Sequence, residues 1–143
     1  MLKFLFFLSL ICFLLFNPSL SSAGEITSPF GWRVHPISGE WSFHSGVDIA
    51  YDVGTPIGAL MDGAVFYSGI YGGYGNCVVL EHPSGDYTLY AHFESLSVSV
   101  GDKVSSGDII GYVGSTGVST GPHLHLEWWR GDEYIDPLGL LNQ

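Results

Sequence analysis

The chain reads as an all-β protein with an antiparallel core, and three observations lead there. Five short runs rich in β-branched and aromatic residues follow one another at 63–70, 76–82, 87–93, 109–113 and 123–129. Gly, Pro, Asn, Asp and Ser punctuate them at short intervals, the pattern of a sandwich or barrel. The 20 glycines suit that many tight turns. After residue 23 no stretch keeps a helical apolar period over three turns, so very little helix is expected.

The first segment lies outside that core. Met1-Leu-Lys3 is a short basic start, Phe4 to Phe16 is almost wholly apolar, and Asn17-Pro18 breaks the run before the small residues Ser21-Ser22-Ala23. A membrane-spanning helix takes about 20 apolar residues, and this run is shorter. Residues 1–23 are therefore read as a signal peptide cleaved before Gly24, leaving one domain over 24–143. A lipid-modified cysteine at Cys12 is disfavoured by the bulky Leu10-Ile11 and Phe13 around it. The expected location is secreted, periplasmic or in the cell envelope, with no stable membrane insertion after cleavage.

Lys3 leaves with the leader, so Arg33, Lys103 and Arg130 face all 14 carboxylates. Such a balance excludes an electrostatic footprint for nucleic acid, which rests on Lys and Arg neutralising phosphates. Cys77 is the one cysteine beyond the leader, so no intrachain disulfide or thiolate cluster forms. Its apolar run, Cys77-Val-Val-Leu80, predicts a buried, inert thiol. Residues 98–104 and 107–111 look like two short strands joined by a tight turn, and about 120 residues can bury a core without disulfides.

Histidine and aspartate carry the chemistry. In His44-Ser-Gly-Val-Asp48 an extended backbone would point His44, Gly46 and Asp48 to one face, with Gly46 leaving room for something bulky such as a metal. A surface hydrogen-bonded pair is the plain alternative. In His123-Leu-His125 both imidazoles share a strand face with Glu127, while Leu124, Leu126 and Trp128 take the other. That arrangement serves metal binding, proton transfer or simple structural hydrogen bonding. The preceding loop, Gly114 to Pro122, is made of small residues that let another surface approach closely. His92 ends the run 87–92 and shares a face with Thr88 and Tyr90, a structural position when taken alone. His35 and His82 each precede a proline in a turn, and His35 has some claim to line a cleft beside Phe30-Gly-Trp-Arg33. A catalytic zinc takes three His or carboxylate ligands and an open position for water. One carboxylate and two histidines make such a set, and no His-Glu-x-x-His helix supplies a glutamate base.

These elements, taken together and in order, resemble the lysostaphin/LytM-type zinc endopeptidases among the peptidoglycan hydrolases. The similarity runs from Ile26-Thr-Ser-Pro-Phe-Gly-Trp-Arg-Val-His-Pro36 through His44-Ser-Gly-Val-Asp48, Tyr90-Ala-His92 and Gly121-Pro-His-Leu-His-Leu-Glu127 to Ile135-Asp-Pro-Leu138. The resemblance implies Zn2+ held by His44, Asp48 and His125, with His92 and His123 as catalytic histidines. It also implies an antiparallel β core of the duplicated-hybrid-motif type with an open groove over the metal, and a peptidoglycan substrate cut in its stem cross-link or glycyl bridge. Trp32, Tyr71, Tyr74 and the backbone at 114–121 are expected to shape that groove. Two other readings stand beside it. One is a non-catalytic wall-binding or amidase-activating module that retains zinc. The other is a carrier or phosphotransfer domain, which the export signal and the surroundings of Lys103 disfavour.

Overall fold

Strands β7 (Asn76–Glu81), β8 (Tyr87–Leu96) and β11 (His123–Arg130) form the centre of the molecule. Their registers put Val78 opposite Tyr90 and Tyr90 opposite Leu126, so apolar side chains stack across one face of the sheet. In the computed structural model, which describes residues 24–142, this face is the core. Val78, Leu80, Tyr90, Phe93, Ile110 and Leu126 are all fully buried there. Each such side chain contributes about 1.5–3 kcal/mol by leaving water.

The remaining strands complete an antiparallel sheet. They are β1 (Glu25–Ser28), β4 (Val47–Ala50), β5 (Pro56–Gly58), β6 (Gly63–Ile70), β9 (Lys103–Val104), β10 (Ile109–Val113) and β12 (Glu133–Ile135). The main path runs β1-β4-β11-β8-β7-β6-β9, with β10 bridging β5 and β8 and β12 added to β11. The sheet does not close into a barrel. A separate hairpin joins β2 (Gly31–Val34) to β3 (Trp41–His44). Among the described residues helix is confined to a 3-10 turn at Gly72–Tyr74 and one α-helical turn, α1 (Leu138–Leu141). Among the described residues no helix is long and apolar enough to cross a membrane. The expected leader, its cleavage site and Cys12 lie outside those residues.

All five sequence-predicted runs are strands, most with bounds within one residue of those expected. Residues 98–111 depart from expectation, since the first strand is only Lys103–Val104 and 98–102 are turn and coil. Their two strands do not pair with each other: β9 adds to β6, whereas β10 pairs with β5 and β8. The tight turn between them exists, closed by Asp108 N–H on Ser105 O and by Ser105 N–H on the Asp108 carboxylate. Local turn chemistry was legible, but the partner of each strand depends on distant residues.

Cys77 sits on the opposite face with Val79, Leu89 and Ala91, covered by Tyr67, Tyr74, Tyr87 and Trp129. Burial pushes its thiol up to about 11, so it stays protonated and inert. His82 is also structural, with Nδ1 donating to Asp62 O at 2.8 Å and Nε2 2.8 Å from Thr88 Oγ1.

Asp86 ties the β7–β8 turn to β11. It accepts from Trp128 Nε1 at 2.9 Å, Arg130 Nε at 3.1 Å and Arg130 Nη2 at 3.0 Å. The Arg130 hydrogen bonds hold its carboxyl below the usual carboxylate range. A lowered folded pKa gives stability that is present above the unfolded value of about 3.9 and is lost as pH falls through the folded value. Asp86→Asn is therefore expected to cost about 1 kcal/mol at pH 7, the net worth of one hydrogen bond with the exposed Arg130 contact discounted. Urea melts at pH 7 and pH 3 should show that cost shrinking in acid.

Candidate metal centre

Antiparallel pairing of β4 with β11 places His125 opposite Asp48 and Leu126 opposite Val47. Cross-strand partners share a face, so His125 and Asp48 meet on one side while Leu126 and Val47 enter the core. His125 Nδ1 lies 2.8 Å from Asp48 Oδ1. His44 ends β3 on the neighbouring hairpin, and its Nε2 lies 3.2 Å from His125 Nδ1 and 3.3 Å from Asp48 Oδ1. These three atoms form a compact group able to hold a metal ion. Tetrahedral zinc with bonds of about 2.0–2.1 Å spaces its ligand atoms by about 3.3 Å, and the three side chains already stand close to that spacing.

His44 and Asp48 do not converge by strand alternation, contrary to the sequence expectation. The chain bends at Ser45 and Gly46 between β3 and β4. Gly46 leaves room for the protein's own backbone: a Cβ there would collide with Leu126 O and the Glu127 side chain. The glycine lets β11 close onto the bend, which brings His125 to Asp48.

His92 departs more sharply. Regular alternation, as expected from sequence, would set it on one face with Thr88 and Tyr90, which in this fold is the core side. Instead β8 carries a bulge, its register slipping between Tyr90 and Phe93, and His92 takes a left-handed backbone with φ 64°. Ala91 and His92 then both face away from the core, and Phe93 turns inward. The His92 ring reaches within 4.6 Å of the His123 ring and 6.0 Å of the His125 ring, measured between centroids. A non-glycine residue held in this region costs of order 1–3 kcal/mol and is found mostly at functional sites.

Besides His35, four imidazoles now line one cavity of about 290 Å³, each pinned through a ring nitrogen. His44 Nδ1 donates to Pro29 O at 2.9 Å, His92 Nδ1 to Thr116 O at 2.7 Å and His123 Nδ1 to Gly121 O at 2.8 Å. A carbonyl can only accept, so each ring donates through Nδ1 and has Nε2 as the acceptor nitrogen of its neutral form. His125 is turned the other way, with Nε2 donating to Glu127 Oε1 at 2.9 Å and Nδ1 facing Asp48. His123 Nε2 is 3.7 Å from Asp48 Oδ1.

Burial pushes His92 down to about 4, leaving it neutral at pH 7. Burial alone would lower His125 too, but its hydrogen bonds to Asp48 and Glu127 raise it to about 9 in the metal-free protein. Burial opposes ionisation of Asp48, yet hydrogen bonds from His125 and His44 hold its carboxyl well below the usual range. A metal on His125 Nδ1 must displace a proton there, so metal binding is coupled to pH.

Glu127 is fully buried and sits behind the cluster. It accepts from Ser45 Oγ at 2.5 Å, Tyr74 OH at 2.8 Å, His125 Nε2 and Trp129 Nε1 at 2.8 Å. Sequence reasoning noticed Glu127 as a neighbour of the histidines but not its position as their anchor, because the donors come from three separate segments of the chain. Alternation on β11 was the available signal.

The cavity walls come from the loop 35–37 on one side and from Gly73, Tyr74 and Val118 to Thr120 on the other. The small-residue loop does admit a close neighbour, since Gly117 packs directly on Gly73 and Gly75. His35 lines the cavity as expected, and its Nδ1 accepts from the Ile37 and Ser38 amides. Of the three aromatics expected in the groove, only Tyr74 lines it. Tyr71 stacks on Tyr74 with ring centroids 6.0 Å apart, and Trp32 packs on Phe43 on the exposed face of the hairpin.

Comparison with known proteins places this geometry. A family model described as peptidase family M23 matches residues 42–137. The DD-carboxypeptidase/endopeptidase Mpg of Neisseria meningitidis serogroup B is 47% identical over 116 residues, covering 81% of this chain and 27% of that protein. A glycyl-glycine endopeptidase of Staphylococcus capitis is 37% identical over 113 residues, covering 78% of this chain and 31% of its own length. The chain thus spans about a quarter to a third of these relatives. The solved catalytic domain of lysostaphin from Staphylococcus simulans superposes with a TM-score of 0.77 at 33% identity, covering 85% of this chain and 98% of that one.

The bend at Gly46 is open to direct test. Gly46→Ala places a methyl group against β11 backbone and is expected to destabilise by about 1–3 kcal/mol or more, the usual range for overpacking. Denaturant melts of the two proteins measure it, and a change below about 0.5 kcal/mol would contradict the close approach.

Proposed function

The chain belongs to peptidase family M23, and on that premise we propose that it is an exported zinc endopeptidase acting on bacterial peptidoglycan. The family consists of metallopeptidases, and a relative from Vibrio cholerae is named a peptidoglycan DD-endopeptidase, which supports wall peptides as the substrate class. The observation that carries the reading is one cavity holding a three-ligand cluster with two further histidines beside it. Export rests on the pattern of residues 1–23.

In this reading His44 Nε2, Asp48 Oδ1 and His125 Nδ1 hold zinc. When bound, zinc supplies a Lewis acid that polarises the scissile carbonyl and lowers the pKa of water to about 7. The protein's own groups do the proton work. His92 and His123, fixed through Nδ1 by Thr116 O and Gly121 O, each present an Nε2 lone pair to the cavity. A neutral ring there takes a proton from the attacking water. Once protonated it is a donor at both nitrogens, so it steadies the developing oxyanion and returns the proton to the leaving amine. Glu127 keeps His125 turned with Nδ1 toward the cluster, the role that an outer carboxylate plays for a ligand histidine. A non-catalytic binding module would not require His92 in its strained conformation, so the strain favours the enzyme.

His44→Ala, Asp48→Ala and His125→Ala should each lose zinc and activity together. His92→Ala and His123→Ala should keep most of their zinc and lose about 10²–10⁴-fold in turnover. Zinc content by mass spectrometry, measured beside fragment release from purified wall, separates the two groups. A metal-free but folded His92 or His123 variant would reverse that assignment.

Glu127→Gln should weaken zinc binding by about 10–100-fold, read by chelator competition. An unchanged affinity would remove Glu127 from the ligand-positioning role.

A further inference from the structure

Arg33 is the one charged group beside the cluster that the chemistry above leaves unused. It lies on β2, the short strand paired with β3, where Trp32 and Val34 face solvent and Arg33 faces inward. Packing of Phe43 on Phe30 and Trp32, with ring centroids 5.2 and 5.8 Å apart, stiffens this hairpin. The register of β2 with β3 sets Gly31 opposite His44, so Arg33 is carried on the same rigid unit as a cluster residue.

Among the described residues its guanidinium has no partner. Nε is sealed from solvent and makes no hydrogen bond, the only such side-chain atom among the described residues. Arg130, by contrast, is held by Asp86 through two hydrogen bonds. Buried polar atoms in native proteins are nearly always satisfied, so the unmet Nε leaves this cation uncompensated, and the terminal nitrogens, which are not sealed, are the atoms a ligand in the cavity meets. Arg33 lines the cavity over the cluster and also a second cavity of about 400 Å³. Asp48, Thr120, His123 and Pro36 line both as well, so the two spaces meet at Arg33. The second space continues toward Thr27 and Ser28 on β1.

We propose that Arg33 is a specificity residue that docks a carboxylate of the substrate, carried close to the bond being cut. The inference rests on the peptidase reading and gives it a substrate class: peptides bearing a free carboxylate near the scissile amide. The guanidinium fork matches a carboxylate with two parallel N–H···O bonds, which a neutral amide cannot reproduce. In a chain so rich in carboxylates, an unpaired cation in the groove selects an anionic ligand against the general charge of the surface. The carboxylate has two chemical sources, the end of a peptide chain or an acidic side chain within it.

The test uses two pairs of synthetic wall peptides. One pair differs in ending with a carboxylate or its amide, and the other in carrying a side-chain carboxylate or its amide. Binding is measured by calorimetry to the zinc-loaded full chain carrying His123→Ala to suppress turnover, with and without Arg33→Gln. In at least one pair the acid is expected to bind about tenfold or more tighter than its amide, and Arg33→Gln should bring the two within about twofold. The pair that responds identifies the source. Arg33→Lys, which keeps the charge but not the fork, should recover part of the preference and replaces the Gln variant if that does not fold. Equal binding of acid and amide in both pairs, or a preference untouched by either substitution, overturns the proposal. Release of fragments from purified wall by the unmodified protein is scored separately. Its failure would count against the peptidase reading, whereas the binding comparison decides on Arg33 alone.

Discussion

The register between β4 and β11 governs the whole groove. It sets His125 opposite Asp48 and, by the same alternation, sends Leu124, Leu126, Val47 and Ile49 into the core. A slip of one residue would invert both sets at once, burying the imidazoles and exposing the leucines. The apolar face therefore enforces the position of the polar one. Gly46 permits this register by letting β11 approach the bend that carries His44, so cluster geometry and core packing share one cause.

A carboxylate–imidazole–carboxylate line, Asp48–His125–Glu127, runs through this interface. Burying charge is costly unless it is paired and hydrogen-bonded. Glu127 meets that condition with four donors, from Ser45, Tyr74, His125 and Trp129. Those donors belong to the β3–β4 bend, the 3-10 turn and β11, so satisfying one carboxylate also fastens three segments around the cavity. The same logic applies to His44, His92 and His123, each anchored through Nδ1 to a backbone carbonyl. Fixing one nitrogen determines what the other offers, and that is how a set of flexible side chains becomes a site with defined acceptors.

Strain is concentrated at His92. The bulge in β8 costs ladder hydrogen bonds and a left-handed backbone at a bulky residue. Thr116 offsets part of this: its hydroxyl bonds Phe93 O at 2.7 Å and accepts the Asn76 amide, while its carbonyl holds His92. The loop of small residues thus splints the bulge from outside, and Gly117 gives it the close contact with Gly73 and Gly75 that this requires.

The amino-acid sequence alone determined the strand content, the buried state of Cys77, the facing of His123 and His125, and the family resemblance that groups His44, Asp48 and His125. Each of these follows from local periodicity, local composition or motifs short enough to read directly. Tertiary structure decided the rest. His92 reaches the cavity because a bulge overrides the alternation that its sequence implies, and a bulge is selected by pairing with β7, β10 and the loop at Thr116. Gly46 makes room for β11 and not for an ion, which no inspection of residues 44–48 reveals. Residues 103–104 and 109–113 form strands, the first much shorter than expected, and both join partners elsewhere in the chain. Glu127 and Arg33 acquire their meaning only from neighbours, one by having four side-chain partners and the other by having none among the described residues. Periodicity is written along the chain, whereas satisfaction of a buried charge depends on residues that meet only after folding.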